Sequence, residues 1–359
     1  MAKNKVGLVV GASGVIGSAI YNVISKADGW RVRGVRRASS ADENFISCDL
    51  SDVSSTAAAM REARDTTHVF YAAFNSGPFS GTRAENDANV GMLHNVLEGL
   101  RSAGAVVERV VLFQGAKVYG AHLGKPPVTP FYEDASRYVG SNFYLGQEDL
   151  LRERAAAGGG SWVALRPDAV IGDVMGNVMN IAAVVGVFAA LSKDGGVPLK
   201  FPGSLHTYRN VLGQLTDANW LGRASLWAAL DPRAENEAFN MVNEPFRWER
   251  LWQRVGARLG MEVEDPQPLA MSKQLADQGP AWARIVKQHG LKDIPLENLV
   301  NWGFGDFVWT IPFDMVSDMG KARRAGFVES VDVEEAVLQA LTSMVEHRHI
   351  PPFEIQPRV

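Results

Sequence analysis

A tyrosine hydroxyl becomes an effective proton donor to a substrate oxygen when a lysine ammonium beside it lowers its pKa from about 10. The simplest pairing sets the two four residues apart on one helix, one above the other. That spacing is missing here: four residues after Tyr144 stands Glu148, after Tyr119 Leu123, and after Tyr138 Asn142. Lys117, however, lies at the end of a strand-like run, and Tyr144 begins a helical pattern. Brought together by their elements, the two form a pair able to hold negative charge on an oxygen. Left apart, Lys117 is a surface lysine and Tyr144 a partly buried helix-start aromatic. Tyr119 shares a face with Lys117 at i, i+2 if the strand persists that far. It is then the competing proton donor or, more plainly, a packing residue.

The elements that must position such residues begin at Gly11-Ala12-Ser13-Gly14-Val15-Ile16-Gly17. Before this stretch runs Lys5–Val10, an apolar run of buried-strand type. After it, apolar residues recur at 16, 19, 20, 23 and 24, which is helical spacing. In a strand–turn–helix context each glycine has a task. Gly11 permits the tight turn, Gly14 lets a pyrophosphate approach the backbone, and Gly17 lets the helix pack on the sheet. The helix N-terminus then faces the phosphates. The alternative is a sharp turn with no ligand.

The second strand, 31–35, ends in Arg36-Arg37, with Ser39 and Ser40 close by. An acidic residue there would receive the ribose hydroxyl of NAD; two guanidinium groups instead suit the 2′-phosphate of NADP(H). Further strands are read at 44–48, 67–74, 108–113 and 161–165, alternating with helices at 54–64, 86–104 and 142–153. The segment 121–140, with Pro126, Pro127 and Pro130, reads as a loop. His68, inside a strand, reads as a packed histidine. This alternation predicts an α/β fold, a doubly wound parallel sheet of Rossmann type. Ligands collect at the carboxyl ends of such strands. The expected cofactor contacts are therefore Gly11, Ser13, Gly14, Val15, Ile16, Gly17, Arg36, Arg37, Asp49, Leu50, Tyr71, Ala72, Ala73, Gln114, Pro167 and Val170.

After Gly172 the alternation ends. Helices are read at 177–193, 216–229, 248–259, 281–290, 295–299 and 331–347, a strand at 237–242, and a polar surface insertion at 262–278. The stretch Asn301–Trp309 is aromatic and glycine-interrupted, fitting either a substrate-pocket wall or plain core. Phe74, Tyr119, Trp302 and Phe304 are the candidates for an apolar pocket. The division expected is a cofactor domain over 1–172, with segments around 205–245 returning to it, and a smaller, mostly helical substrate region over 173–359.

Composition narrows the partners. The 359 residues carry a net charge of −4 and 46% hydrophobic residues, an ordinary globular balance with no basic stripe for nucleic acid. Cys48 is the single cysteine, which excludes an internal disulfide and a multi-cysteine zinc site; no metal is expected. The longest apolar stretch, 181–191, falls short of the ~20 residues that span a bilayer. The expectation is a cytoplasmic protein, without membrane attachment, for which a homodimer is compatible.

The chain resembles the progesterone 5β-reductase / iridoid synthase-like group of extended short-chain dehydrogenases/reductases. The resemblance rests on Gly11–Gly17, Val35-Arg36-Arg37, residues 48–52 and 67–71, Asn142-Phe143-Tyr144 with Glu148-Asp149, Arg166-Pro167 with Ile171-Gly172, residues 236–240 and residues 302–306. In that group the lysine has moved to the loop after the fifth strand, which carries Lys117 and Tyr144 over as the catalytic pair. The resemblance implies NADPH-dependent reduction of the C=C bond of α,β-unsaturated carbonyl compounds, on a small apolar substrate. The hydride goes to the β-carbon, and Tyr144 and Lys117 stabilise the enolate. The same pair would serve a 1,2-reduction of aldehydes or ketones, and a non-catalytic NADP(H)-binding sensor is the reading outside enzymology. The chain departs from the plant members at Leu145, where they carry a second tyrosine. It also departs in the loop Gln114-Gly115-Ala116, which is one residue shorter and lacks a hydroxyl. Both departures bear on the oxyanion geometry.

Overall fold

The computed structural model describes residues 5–75, 81–124, 128–172 and 179–353. The chain forms two compact units, each assembled from three stretches of sequence. The first comprises Met1–Asp168, Ala218–Val242 and Asp318–Glu329, and the second Ala169–Asp217, Asn243–Ser317 and Ser330–Val359.

The first unit is built on seven strands: β1 (Lys5–Val10), β2 (Trp30–Arg36), β3 (Phe45–Ser47), β4 (His68–Tyr71), β5 (Arg109–Phe113), β6 (Ser161–Arg166) and β7 (Glu237–Asn240). They pair in the order β7-β6-β5-β4-β1-β2-β3, every pairing parallel. The expected doubly wound sheet is present, with a seventh strand added beside β6. Helices α1 (Val15–Ile24), α2 (Val53–Glu62), α3 (Arg83–Ser102), α4 (Phe143–Ala156) and α5 (Ala218–Leu230) supply the crossovers and cover the sheet. Covering both faces explains why β4 and β5 are buried at every residue and read as unbroken apolar runs. Short polar side chains start the helices. Asp52 accepts from Ser55 N at 2.6 Å, Thr82 from Glu85 N at 3.2 Å, and Asn142 from Tyr144 N at 3.0 Å. Leu8, Val69, Leu93, Val110 and Trp162 lie in the core beneath. His68 is packed there as expected, its ring edge-on to Trp30.

The second unit packs around the helix Ile181–Asp194, whose residues are buried nearly throughout. Phe201, Trp248, Trp252 and Trp309 meet ring against ring beside it. One expectation changes here. The segment 262–278 is not a surface insertion. Val263–Glu264 pairs in parallel with Leu199–Lys200, and Met271 is fully buried, its N–H donating to Asp306 Oδ1 at 2.7 Å. The polar residues of that segment mark its exposed side only. Past β6, Val170–Ile171 is not part of the large sheet and pairs in parallel with Thr216–Asp217. Pro126 and Pro127, and the first residues of the expected helix, Asn177 and Val178, lie outside the described residues. Among the described residues no helix is long and apolar enough to cross a membrane. No cluster of three metal-ligating side chains occurs among them either.

Candidate active site

The turn after β1 is as tight as its glycines predict. Gly11 has φ +88°, and a Cβ there would meet Ala73 N at 2.8 Å and the Ala72 carbonyl at 2.9 Å. At Gly17 the added carbon would lie 2.1 Å from Gly11 O. Gly11 N and Ala12 N both donate to Val35 O at 3.0 Å, locking the turn to β2. Gly14 caps α1 without any side chain, and the first turn of the helix has no acidic residue. Bare backbone and an unneutralised helix end therefore face the same place. Ser13, Val15 and Ile16 belong to this turn.

At the end of β2 the Arg36 guanidinium lies 4.2 Å over the Phe45 ring, with its Nε buried and without a hydrogen-bond partner among the described residues. Arg37 is exposed beside it. Asp49 stands near: hydrogen bonds from Ser51 come first, and the Arg37 charge adds to them, in holding its carboxyl below the usual range. Leu50 and Tyr71 are core residues of the first unit. Burial pushes the Tyr71 hydroxyl upward, and that hydroxyl has no hydrogen-bond partner among the described residues. Ala72 follows β4, its N–H donating to Val10 O at 2.9 Å, and Pro167 is buried just past β6.

Lys117 sits where β5 has ended. Gly115 is fully extended, then Ala116–Tyr119 closes a tight 3-10 turn that stops at Gly120 in the left-handed region. The strand does not persist, so Lys117 and Tyr119 do not share a strand face. Tyr119 is instead buried against Phe131, ring centroids 5.0 Å apart. Its hydroxyl donates to Asn240 Oδ1 at 2.5 Å and accepts from Arg166 Nη1 at 3.1 Å. Burial pushes it up to about 12. These bonds make Tyr119 a packing residue rather than a competing proton donor.

One side chain joins the two candidate catalytic residues. Asn142 Oδ1 accepts from Tyr144 N at 3.0 Å, while its Nδ2 donates to Lys117 O at 2.9 Å and to the Tyr138 hydroxyl at 2.8 Å. Lys117, Glu85, His122, Tyr138, Asn142 and Phe143 line a common pocket. A Cβ added at Gly115 would stand 3.5 Å from the Tyr144 hydroxyl and 3.6 Å from Pro167 O, so residue 115 lies beside the phenol. Burial, and after it the Glu85 charge, pushes Tyr144 up to about 12. Its phenol is therefore protonated at neutral pH. The Lys117 ammonium does not produce the lowering that the pairing leads one to expect; its charge acts instead on His122, pushed down first by burial and then by that ammonium.

Sequence reasoning missed Glu85 and the capping role of Asn142. Glu85 Oε2 accepts from Gly81 N at 2.5 Å, and its Oε1 is buried without a hydrogen-bond partner among the described residues. An asparagine immediately ahead of a helical run is the signal that marks Asn142 as a cap. Of the expected pocket residues, Phe74 stacks on Phe143 at 5.1 Å, and Phe143 meets Tyr144 at 4.2 Å. Trp302 and Phe304 belong to the second unit, on the helix Trp302–Trp309 capped by Asn301; Trp302 is in that unit's core and Phe304 packs against it. Val170 is also in the second unit.

The PRISE-like Rossmann-fold domain matches residues 51–351. The chain is 31% identical to an (S)-8-oxocitronellyl enol synthase of Camptotheca acuminata, covering 96% of this chain and 93% of that one. It is 31% identical to a 3-oxo-Delta(4,5)-steroid 5-beta-reductase of Arabidopsis thaliana, over 90% of this chain and 87% of the other. Among solved structures, a GDP-L-fucose synthetase from Naegleria fowleri bound to NADP superposes with TM-score 0.67 at 14% identity. It covers 98% of this chain and 96% of the other, a likeness of fold alone.

Proposed function

Because the chain belongs to the PRISE-like Rossmann-fold family, we propose that it is an NADPH-dependent reductase of α,β-unsaturated carbonyl compounds. Tyr144 and Lys117 are its catalytic pair. The observation that carries this reading is the Asn142 side chain, which holds Tyr144 by its N–H and Lys117 by its carbonyl oxygen. Two residues twenty-seven apart in sequence are thereby assembled where a helix begins and a strand has just ended.

The first unit fits the cofactor on its own geometry. A side chain at Gly11 or Gly17 would fill the turn against backbone atoms, so only bare main chain can meet a pyrophosphate there. Arg36, whose Nε has no hydrogen-bond partner among the described residues, and exposed Arg37 suit a 2′-phosphate. When bound, NADPH supplies the hydride. The protonated Tyr144 hydroxyl donates a hydrogen bond to the carbonyl oxygen of the substrate. That bond strengthens as the oxygen gains the charge of an enolate, and the Lys117 ammonium adds to the field there. Phe74 and Phe143 offer apolar surface beside Tyr144, which suits a small apolar substrate. A cytoplasmic setting suits a chain whose one cysteine, Cys48, is a buried thiol.

The test is NADPH oxidation with a panel of enones, enals and saturated carbonyls, with products identified. The expected products are saturated carbonyl compounds, and alcohols alone would reject the reading. Tyr144→Phe is expected to lower kcat about 10²–10³-fold, as loss of an oxyanion donor does, with NADPH affinity unchanged. Full turnover by this variant would remove Tyr144 from the mechanism.

A further inference from the structure

Tyr144 lies in the first turn of α4, and a buried hydrogen-bonded set holds that turn against the strand ends. Gln114, the residue after β5, is 4% exposed. Its Nε2 donates to the carbonyl oxygen of Tyr144 at 2.8 Å and to Glu148 Oε2 at 3.1 Å. Its Oε1 accepts from Arg166 Nε at 2.9 Å. Arg166, the last residue of β6, also donates Nη2 to Glu148 Oε2 at 3.1 Å. A carboxamide has two donor protons and one oxygen, and all are engaged. Its orientation is fixed as well, because the guanidinium demands an acceptor and the carboxylate demands a donor. Gln114, expected beside the cofactor from its place at a strand end, has thus committed its side chain within the unit.

The next residue, Gly115, is the one under the Tyr144 hydroxyl. Two consecutive residues therefore face Tyr144 at its two ends, Gln114 bonded to its main chain and Gly115 lying where an added Cβ would come within 3.5 Å of the phenol oxygen. We propose that Gln114 is the positioning residue for Tyr144. Its carboxamide, held by Arg166 and Glu148, sets the height and rotation of the first turn of α4, and so places the hydroxyl that meets the substrate oxygen. This rests on the catalytic reading of Tyr144 given above. Nothing about Gln114 touches substrate; it acts through Tyr144.

The experiment is a double-mutant cycle with Gln114→Met, which keeps the length of the side chain, and Tyr144→Phe. 2-Cyclohexen-1-one serves as the enone and NADPH binding is followed by fluorescence. Gln114→Met is expected to lower kcat about a hundredfold, the cost of an ångström of misplacement, with KM and NADPH affinity retained. In the Tyr144→Phe background the same change is expected to cost less than about twofold, because the group it positions is gone. Gln114→Asn keeps a carboxamide but draws it back by one methylene, so its amide no longer reaches the Tyr144 carbonyl at hydrogen-bond distance. It is expected to lose the same activity with NADPH affinity retained, and it covers the case of a Met variant that fails to fold. Unchanged kcat in either variant, or an equal loss in both tyrosine backgrounds, overturns the positioning role. Failure of the underlying reading is visible separately, as a Tyr144→Phe enzyme with full kcat.

Discussion

Two glycine-to-alanine substitutions in helices of the first unit should move stability in opposite directions. In α3 a Cβ added at Gly91 meets no heavy atom within 4 Å. Only helix propensity acts there, so Gly91→Ala should stabilise the protein by about 0.5–1 kcal/mol. In α1 the same propensity gain meets a wall. The carbon added at Gly17 lies 2.1 Å from Gly11 O, 2.7 Å from Gly11 C and 2.9 Å from Ala12 Cα. To bring the first of these to the 3.4 Å at which ordinary contact begins, the helix must give by about 1.3 Å. The turn cannot yield, because Gly11 N and Ala12 N are both bonded to Val35 O. The helix is confined on its other side, where a Cβ at Gly222 of α5 would already come within 2.8 Å of Val23 Cγ2. Overpacking of this kind costs about 1–3 kcal/mol, enough to outweigh propensity. The net expectation for Gly17→Ala is a loss of about 1–2 kcal/mol. The displaced helix end should also lose one charge-assisted contact to the pyrophosphate, weakening NADPH about tenfold. Urea denaturation and NADPH fluorescence titration read both effects. A Gly17→Ala protein with wild-type stability and wild-type NADPH affinity would refute the reasoning.

Replacing Arg36 and Arg37 together by Ala should weaken NADPH at least about tenfold while leaving NADH affinity nearly unchanged, the signature of a lost 2′-phosphate contact; equal losses for both cofactors would contradict it. Burial first, and then the charges of Arg109 and Lys5, push His68 down to about 4, so the native state holds it neutral. Below its unfolded pKa of about 6.5 the unfolded chain binds the extra proton. Stability is thus whole above that pH and declines as pH falls toward 4, by about 3 kcal/mol over the window. Denaturation of His68→Phe from pH 7 to 4 should show a shallower decline, and parallel curves would count against the assignment. Asn240 is fully buried. It donates Nδ2 to Phe131 O and Asp318 O and accepts the Tyr119 hydroxyl, so Asn240→Ala removes three hydrogen bonds at once. Its expected cost is about 3 kcal/mol by denaturation, against a near-neutral result if those bonds matter little.

What was legible in the chain was what repeats locally. Unbroken apolar runs marked β1, β4 and β5 because both faces of the sheet are covered, and small polar residues before a helical run marked the start of α2. The glycine turn was legible because only glycine tolerates those approaches. Bonds between distant residues were not legible. Ala116 and Val118 continue the alternation of β5, but pairing to β6 runs out at Phe113, and the left-handed Gly120 closes a turn that no apolar pattern announces. Gln114, Glu148 and Arg166 come from three elements and leave no period. Met271 is one buried residue in a polar segment, held by an acid thirty-five residues away. The new position of the lysine was readable only through the family resemblance, since spacing alone left Lys117 and Tyr144 on separate elements.

The three-part composition of the first unit bears on how the chain reaches its folded state during synthesis. Strand β7 closes the sheet only once residue 240 exists, and Asp318 and Phe327 are further required, the first bonding Asn240 and Phe131, the second packing on Trp220 and Trp227. The sheet therefore waits, its β6 edge open, while most of the polypeptide leaves the ribosome. A fragment ending at 317 would keep all seven strands yet lack a piece of the unit they form, so expression of such a fragment should give aggregation rather than an independent cofactor-binding module. Any attempt to shorten this protein, split it, or graft it as a module has to respect 318–329 as part of the first unit, far from it in sequence though it is.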